Sequence, residues 1–208
     1  RAFIPASLWD EVKENLLAKV AQLKVGDVQD FRSFMGAVID EKSYNNIVNY
    51  IQYAEKSEDA EILCGSYDNS KGWFVHPTVI QAKKPDFKTM VEEIFGPVLT
   101  VYDYEDSKLE ETLRICDQAS PYALTGAIFA QDRQAIVELE RALRNTAGNF
   151  YINDKPTGAV IGQQPFGGGR ASGTNDKAGS MLNLYRWISP RSVKENFLPA
   201  KEITYPFM

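Results

Sequence analysis

Leu8, Val12, Leu16, Val20 and Leu23 recur at spacings of three and four, which predicts an amphipathic helix over 8–23. Ser7 stands where a capping hydroxyl would, with Asp10 three residues on as a variant of the capping box. "AFIP" before it reads as a short strand, and Gly26 in "KVGD" closes the segment. A second helix is expected over 41–56, with Tyr44, Ile47, Val48, Ile51 and Ala54 on one face. "AEILCG" reads as a strand. "NSKGWFVHPTVI" carries a turn at Gly72 and then a strand broken by Pro77. "VLTVYDY" alternates in the manner of a strand with two unlike faces. Helices follow at 107–118, with Leu109, Leu113 and Cys116 inward, and at 132–145. Between and after them, "LTGAIFA" reads as a buried strand and "GNFYIN" as another. Strands alternating with helices predict an α/β fold with a largely parallel sheet flanked by helices.

The periodicity stops after Asn153. Residues 154–180 hold seven of the fourteen glycines, yet Val160, Ile161 and Phe166 argue against disorder. Loops of this length inside a compact domain are usually functional. Beyond them, Tyr185, Trp187 and Val193 in "LNLYRWISPRSVKENFL" suggest an extended ribbon, and a strand that leaves a finished domain tends to pair with another chain.

Composition narrows the classes. The chain has 208 residues, 44% hydrophobic and 25% charged, with a net charge of −5. An acidic balance argues against nucleic acid or an anionic membrane surface as partner. No apolar run reaches the roughly 20 residues of a membrane span, and no signal-peptide pattern is visible. Because the first residue is Arg1 rather than Met, the chain is expected to be a piece of a longer protein. Cys64 and Cys116 share no CxxC spacing, and His76 is the only histidine. Neither a disulfide framework nor a metal site is expected, and both thiols should pack as small apolar groups.

Two phosphate motifs come close in the glycine-rich stretch and fail. Gly167, Gly169 and Gly173 are spaced one residue too widely for the dinucleotide fingerprint, and no first strand precedes them. Gly168 to Thr174 form a P-loop pattern without its lysine. Two readings remain for these glycines: a structural loop, or a backbone left open for a ligand to approach its N–H groups.

"EIFGPV" (93–98) raises a separate question. Ile94 and Val98 suit a core, but Glu93 does not. "EIFGPV", "YALTGAIF" (122–129), "GNFYIN" (148–153) and "QPFGGGRASG" (164–173) occur in that order. In series they resemble the C-terminal part of the aldehyde dehydrogenase superfamily, over essentially the whole chain. "GNFYINDKPTGAVIGQQPFGG" and "SGTNDKAG" resemble one branch of it, the Δ1-pyrroline-5-carboxylate dehydrogenases.

The resemblance implies a catalytic-domain portion over 1–182, including a substrate-anchoring loop at about 154–180, followed by an oligomerisation strand and tail over 183–208. The dinucleotide-binding domain would lie outside this chain. It implies NAD as cofactor, with Glu93 on the hydroxyls of the nicotinamide ribose and Phe95 against the ring. It implies L-glutamate γ-semialdehyde as substrate, with the amides of Gly158 and Ala159 on its α-carboxylate and Phe166 on its aliphatic chain. Superfamily chemistry runs through a cysteine nucleophile, a thiohemiacetal that loses hydride to NAD⁺, and a thioester hydrolysed by water that a Glu activates. Neither Cys64 nor Cys116 matches the nucleophile's motif, so that cysteine and the base are expected upstream of Arg1 and the chain alone should be inactive. A homodimer or larger homo-oligomer is implied, in a bacterial cytoplasm or a mitochondrial matrix. An aldehyde dehydrogenase of another specificity, or a non-catalytic domain that kept the fold, would share many of these residues.

Overall fold

The computed structural model describes residues 1–157, 159, 160, 162–198, 201–204 and 207. β1 (Ala2–Pro5) runs without a loop into α1 (Ala6–Val20). Pro5, at φ −56° and ψ 135°, makes the junction, because its ring fixes a φ that both elements tolerate. Ser7 therefore lies inside the helix and is not its cap. Its N–H and hydroxyl donate to the Asp106 carboxylate at 3.1 and 2.5 Å. Asp106 is held below the usual carboxylate range by those two bonds. The buried face of α1 is also rotated from the expected one. Trp9 is buried beside Val12, Leu16, Leu17 and Val20, whereas Leu8 is 52% exposed.

α2 (Glu41–Glu55) starts at Asp40, whose carboxylate accepts the Ser43 N–H at 2.7 Å. Its five expected inward residues are all buried. Five short elements lead to the central strand: β2 (Ala60–Cys64), β3 (Tyr67–Asp68), β4 (Phe74–Val75), β5 (Thr78–Ala82) and one turn of helix, α3 (Lys88–Val91). His76 serves through its backbone at the kink before Pro77. Its N–H donates to the Ser66 carbonyl, and its own carbonyl accepts the Thr78 hydroxyl at 2.9 Å.

β6 (Val98–Tyr104) completes a four-stranded sheet in the order β1-β6-β5-β2. β6 is parallel to both β1 and β5, and β2 closes one edge antiparallel. Alternate residues of β5 and β6 face opposite layers, as the pleat requires. Val79 and Val101 meet Trp9 of α1. Ile80 and Ala82 meet Ala54 of α2, with Phe87 and Met90. Thr100 and Thr89 are buried polar residues, and Thr100 donates its hydroxyl to that of Thr89 at 2.8 Å.

A second unit follows: α4 (Leu109–Gln118), β7 (Tyr122–Ala123), β8 (Thr125–Ile128), α5 (Arg133–Leu143) and β9 (Asn149–Ile152). β8 and β9 are parallel and joined through α5 in a β-α-β crossover. Ile128, Ile136 and Leu143 are its buried centre, with Leu113, Cys116 and Phe150 against them. Leu109 is exposed instead of inward, because α4 begins at it straight out of a short 3₁₀ turn; Thr112 takes the buried place. "LTGAIFA" is less buried than expected: within β8 only Ile128 is buried, and Phe129 is 70% exposed.

Two short elements end the described fold, β10 (Gly169–Arg170) and α6 (Met181–Leu184). The ribbon expected after residue 182 differs at its start. Tyr185–Trp187 form a 3₁₀ turn continuing from α6, and residues 188–198 carry no strand pairing among the described residues.

Ile80 is fully buried between the sheet and the α2 layer. Ile80→Ala is expected to destabilise the fold by about 2–5 kcal/mol, read as a lower denaturant midpoint. Lys71→Ala, on an exposed turn, should stay within about 0.5 kcal/mol.

Candidate functional site

The turn between α3 and β6 is built around two inward anchors. Ile94 is 8% exposed and joins Tyr44, Ile47, Val48, Ile51 and Val75 in one core cluster. Gly96 lies so close to Ile47 that a Cβ there would sit 2.5 Å from the Ile47 Cδ1. Between and beside these anchors the chain has one way to go. Phe95 takes φ 59°, in the left-handed region, and is 85% exposed; Glu93 is exposed next to it. A bulky non-glycine residue in that region costs about 1–3 kcal/mol, which the surrounding packing must supply. The Thr78 N–H to the Pro97 carbonyl, 2.8 Å, then locks the turn to the start of β5. The result is a carboxylate and an aromatic ring presented together to solvent from one rigid turn.

The glycine-rich stretch is clasped onto the second unit. Asn149, 8% exposed, accepts the Gly167 N–H on its Oδ1 at 3.0 Å and donates its Nδ2 to the Pro165 carbonyl at 3.0 Å. Lys177 donates its ammonium to the carbonyls of Gly148 and Gly167, at 2.5 and 3.2 Å. Phe166 and Ala178 exchange both backbone bonds across the loop, at 2.9 and 2.8 Å. β10 pairs antiparallel with β7, and Arg170 donates to the carboxylate and carbonyl of Asp117. Farther along, the Thr174 hydroxyl and Arg186 both donate to Asp176, and these bonds hold its carboxyl below the usual range.

Two of the glycines have a packing reason. A Cβ on Gly148 would overlap the Gly167 carbonyl, and one on Gly168 would sit 2.8 Å from the Leu124 Cα. Glycine at 148 and 168 is demanded by backbone packing on backbone. Ahead of the clasp, Asn153 holds φ 54° and pairs its side-chain amide with both backbone groups of Ala130, at 2.9 and 2.8 Å. It thereby extends the β8–β9 ladder by one residue and turns the chain into the loop. Ala159 is half-buried, and Phe166 is half-buried on the clasped part. Gly158 lies outside the described residues.

Glu93 and Phe95 thus share one turn, and Ala159 and Phe166 share one loop. No hydrogen bond or ion pair among the described residues joins the two groups. Asn149 and Lys177, which set the loop's path, were not singled out by motif reasoning. The signal for Asn149 was a polar residue at the head of an otherwise apolar strand. An open cleft of about 430 Å³ lies beside the clasp, lined by Ala123, Arg144, Gly148, Arg170 and Asn175 among others.

Both cysteines are partly buried free thiols. Cys64 packs with the Trp9 cluster and Cys116 with the Ile128 cluster. Burial pushes the Cys116 thiol up, with the nearby Arg1 charge pulling partly back. A nucleophilic cysteine needs the opposite shift. No group of three or more His, Cys, Asp or Glu side chains among the described residues is placed to hold a metal ion. No helix among them is long and apolar enough to cross a membrane.

The aldehyde dehydrogenase family model matches the chain over residues 1–193, and the chain belongs to that family. Within the family, it is 63% identical to the mitochondrial delta-1-pyrroline-5-carboxylate dehydrogenase of Dictyostelium discoideum and 48% identical to that of Homo sapiens. Both matches cover 100% of this chain and 38% and 37% of the respective relatives. The crystal structure of the Mycobacterium tuberculosis delta-pyrroline-5-carboxylate dehydrogenase superposes over 100% of this chain and 38% of its own, with a TM-score of 0.85 at 49% identity. The same enzyme bound with NAD gives a TM-score of 0.84 at 48% identity.

Gly148→Ala is expected to push Gly167 off its seat, at a cost of about 1–3 kcal/mol. Backbone amide exchange should then quicken at Phe166 and Ala178, while α2 and the β1-β6-β5-β2 sheet keep their protection.

Proposed function

We propose that this chain is the C-terminal, catalytic-domain portion of an NAD-dependent dehydrogenase that oxidises L-glutamate γ-semialdehyde, the open form of Δ1-pyrroline-5-carboxylate, to L-glutamate. The supporting observation is the similarity to relatives of that name along the whole chain, which takes in the Glu93–Phe95 turn and the loop over 154–180. The chain spans 37–38% of those relatives, so the reaction belongs to the longer protein.

The residues present fit a nicotinamide dinucleotide at the turn. Glu93 offers an exposed carboxylate that can accept from two vicinal ribose hydroxyls, and such charge-assisted bonds are strong. Phe95 offers an exposed ring a residue away, on a backbone that cannot swing freely. When bound, NAD⁺ supplies the hydride acceptor. The work of this chain is positional: Glu93 orients the sugar, Phe95 limits the ring's motion, and the clasped loop fixes the remote end of the substrate. Holding reactants in register is worth a large share of a barrier, because misplacement by about 1 Å can cost a hundredfold.

Substrate choice is assigned to the amides of Gly158 and Ala159, which would meet the α-carboxylate, and to Phe166 on the aliphatic chain. The nucleophilic cysteine and the general base are assigned to the part of the protein preceding Arg1. Cys116, buried and pushed toward its thiol form, is unsuited to that role.

Assembly into a homodimer or larger homo-oligomer is assigned to the C-terminal segment. Trp187 is 82% exposed and Val193 75%, with Leu184, Tyr185 and Ile188 also exposed nearby. Several large apolar side chains exposed so close in sequence suit a contact with another chain. Pairing there with a second copy would give residues 188–198 a strand partner, which they do not find among the described residues. The names of several relatives carry the word mitochondrial, which supports a mitochondrial location for a eukaryotic source.

The reading is tested on the full-length protein. Gly158→Val should raise the KM for glutamate semialdehyde at least tenfold, the loss of about 1.4 kcal/mol of carboxylate binding. Oxidation of a simple aliphatic aldehyde, which has no carboxylate to anchor, should change far less. Equal losses for both substrates would reduce the reading to an aldehyde dehydrogenase of another specificity. The isolated 208 residues should oxidise neither.

A further inference from the structure

Helix α2 touches the Glu92–Gly96 turn at three successive points of one helical stripe. Asn46 donates its side-chain amide to the Ile94 carbonyl at 3.4 Å. Ile47 seats Gly96 and packs with Ile94. Tyr50 donates its hydroxyl to the Glu92 carboxylate at 2.6 Å. Asn46 and Tyr50 are four apart, so they stand one above the other along the helix. The ammonium of Lys88 lies 5.1 Å above the Tyr50 ring, which ties the ring to α3 on the other flank of the turn.

Ile47 explains the fold of the turn; the two polar contacts need a separate reason. The Tyr50–Glu92 bond is exposed and the Asn46–Ile94 bond only partly buried, and single bonds of this kind add little to stability. Yet they grip the residues on either side of Glu93, at Glu92 and Ile94. With the Ile94 carbonyl and the Glu92 side chain both held from α2, the backbone that carries Glu93 has less freedom to swing. Phe95, held in the left-handed region by the same anchors, is fixed in step with it. The bond to Glu92 also pushes the Tyr50 hydroxyl above its ordinary value, so it stays a donor throughout the neutral range.

We propose that Asn46 and Tyr50 are positioning residues for the dinucleotide, holding the Glu92–Ile94 backbone so that Glu93 and Phe95 meet the nicotinamide riboside in one fixed geometry. They touch neither reacting atom; they act through the turn. The proposal rests on the reading of Glu93 and Phe95 as cofactor residues.

The test uses the full-length protein carrying Asn46→Ala with Tyr50→Phe, beside Glu93→Gln as reference. The paired variant should melt within a few degrees of the parent and raise the KM for NAD⁺ about tenfold, the loss of about 1.4 kcal/mol of ribose binding. Its KM for glutamate semialdehyde at saturating NAD⁺ should stay within about twofold, since the substrate loop is anchored elsewhere. An unchanged KM for NAD⁺ in the paired variant, with Glu93→Gln raising it, would overturn the positioning role and leave the cofactor reading standing. A parallel rise in both KM values would mean that α2 matters only for folding. If Glu93→Gln itself leaves NAD⁺ kinetics unchanged, the cofactor reading falls and the positioning role falls with it.

Discussion

The pairing of β5 with β6 is the constraint on which the rest of this molecule depends. Thr78, Val79, Ile80, Thr100 and Val101 are nearly inaccessible, so both faces of the ladder are covered. A parallel pair buried on both sides cannot slip register by one residue without exchanging its two cores. Val79 and Val101 would then meet the layer built for Ile80 and Ala82. The register therefore fixes where β6 begins, and with it where the chain must turn to enter β6. That entry is the Glu92–Pro97 turn. The Thr78 N–H bond to the Pro97 carbonyl is the first rung below the ladder and carries its rigidity into the turn.

A turn so constrained can hold a residue in a costly conformation. Phe95 is left-handed because Ile94 must go into the core and Gly96 must fit beneath Ile47. The opening puzzle of "EIFGPV" has a physical answer in that alternation. Ile94 goes inward, Gly96 rests its backbone against Ile47, and 93 and 95 are left facing out together. A free loop could present the same two side chains, but not at a fixed separation and angle. The glycine-rich stretch solves a like problem by other means. It has no ladder of its own and borrows order from Asn149, Lys177 and Ser172, which bond its backbone or that of β7.

Much of this was legible in the residues, for reasons that differ by element. α2 was read well because its apolar period and its Asp40 cap agree, and nothing in the tertiary structure competes. β6 was legible for the same reason. α1 was read in the wrong phase because Leu8 fits the period as well as Trp9 does; only the sheet beneath selects between them. Its cap was misplaced because Pro5 makes a strand-to-helix junction without a capping side chain, and Ser7 is engaged by Asp106, 99 residues away. No local pattern encodes so distant a partner. The same holds for α3, β7 and β10, whose lengths of two to four residues leave no period to detect.

The site divides along the same line. Glu93 and Phe95 stood out because they break the logic of a core segment. The residues that hold them, Asn46 and Tyr50, did not, because on a helix they read as ordinary polar positions at the rim of an apolar face. Function that works through side-chain chemistry leaves a mark in composition. Function that works through placement leaves its mark only in contacts between distant segments: α2 with the turn across 42–48 residues, and Asn149 with its loop across 16–18. In this chain Glu93 and Phe95 are legible one by one as outward residues, and the contacts from α2 to their turn are not. The α2-backed turn is anchored to one core cluster and the Asn149-clasped loop to the β-α-β unit, each through contacts between segments far apart in sequence.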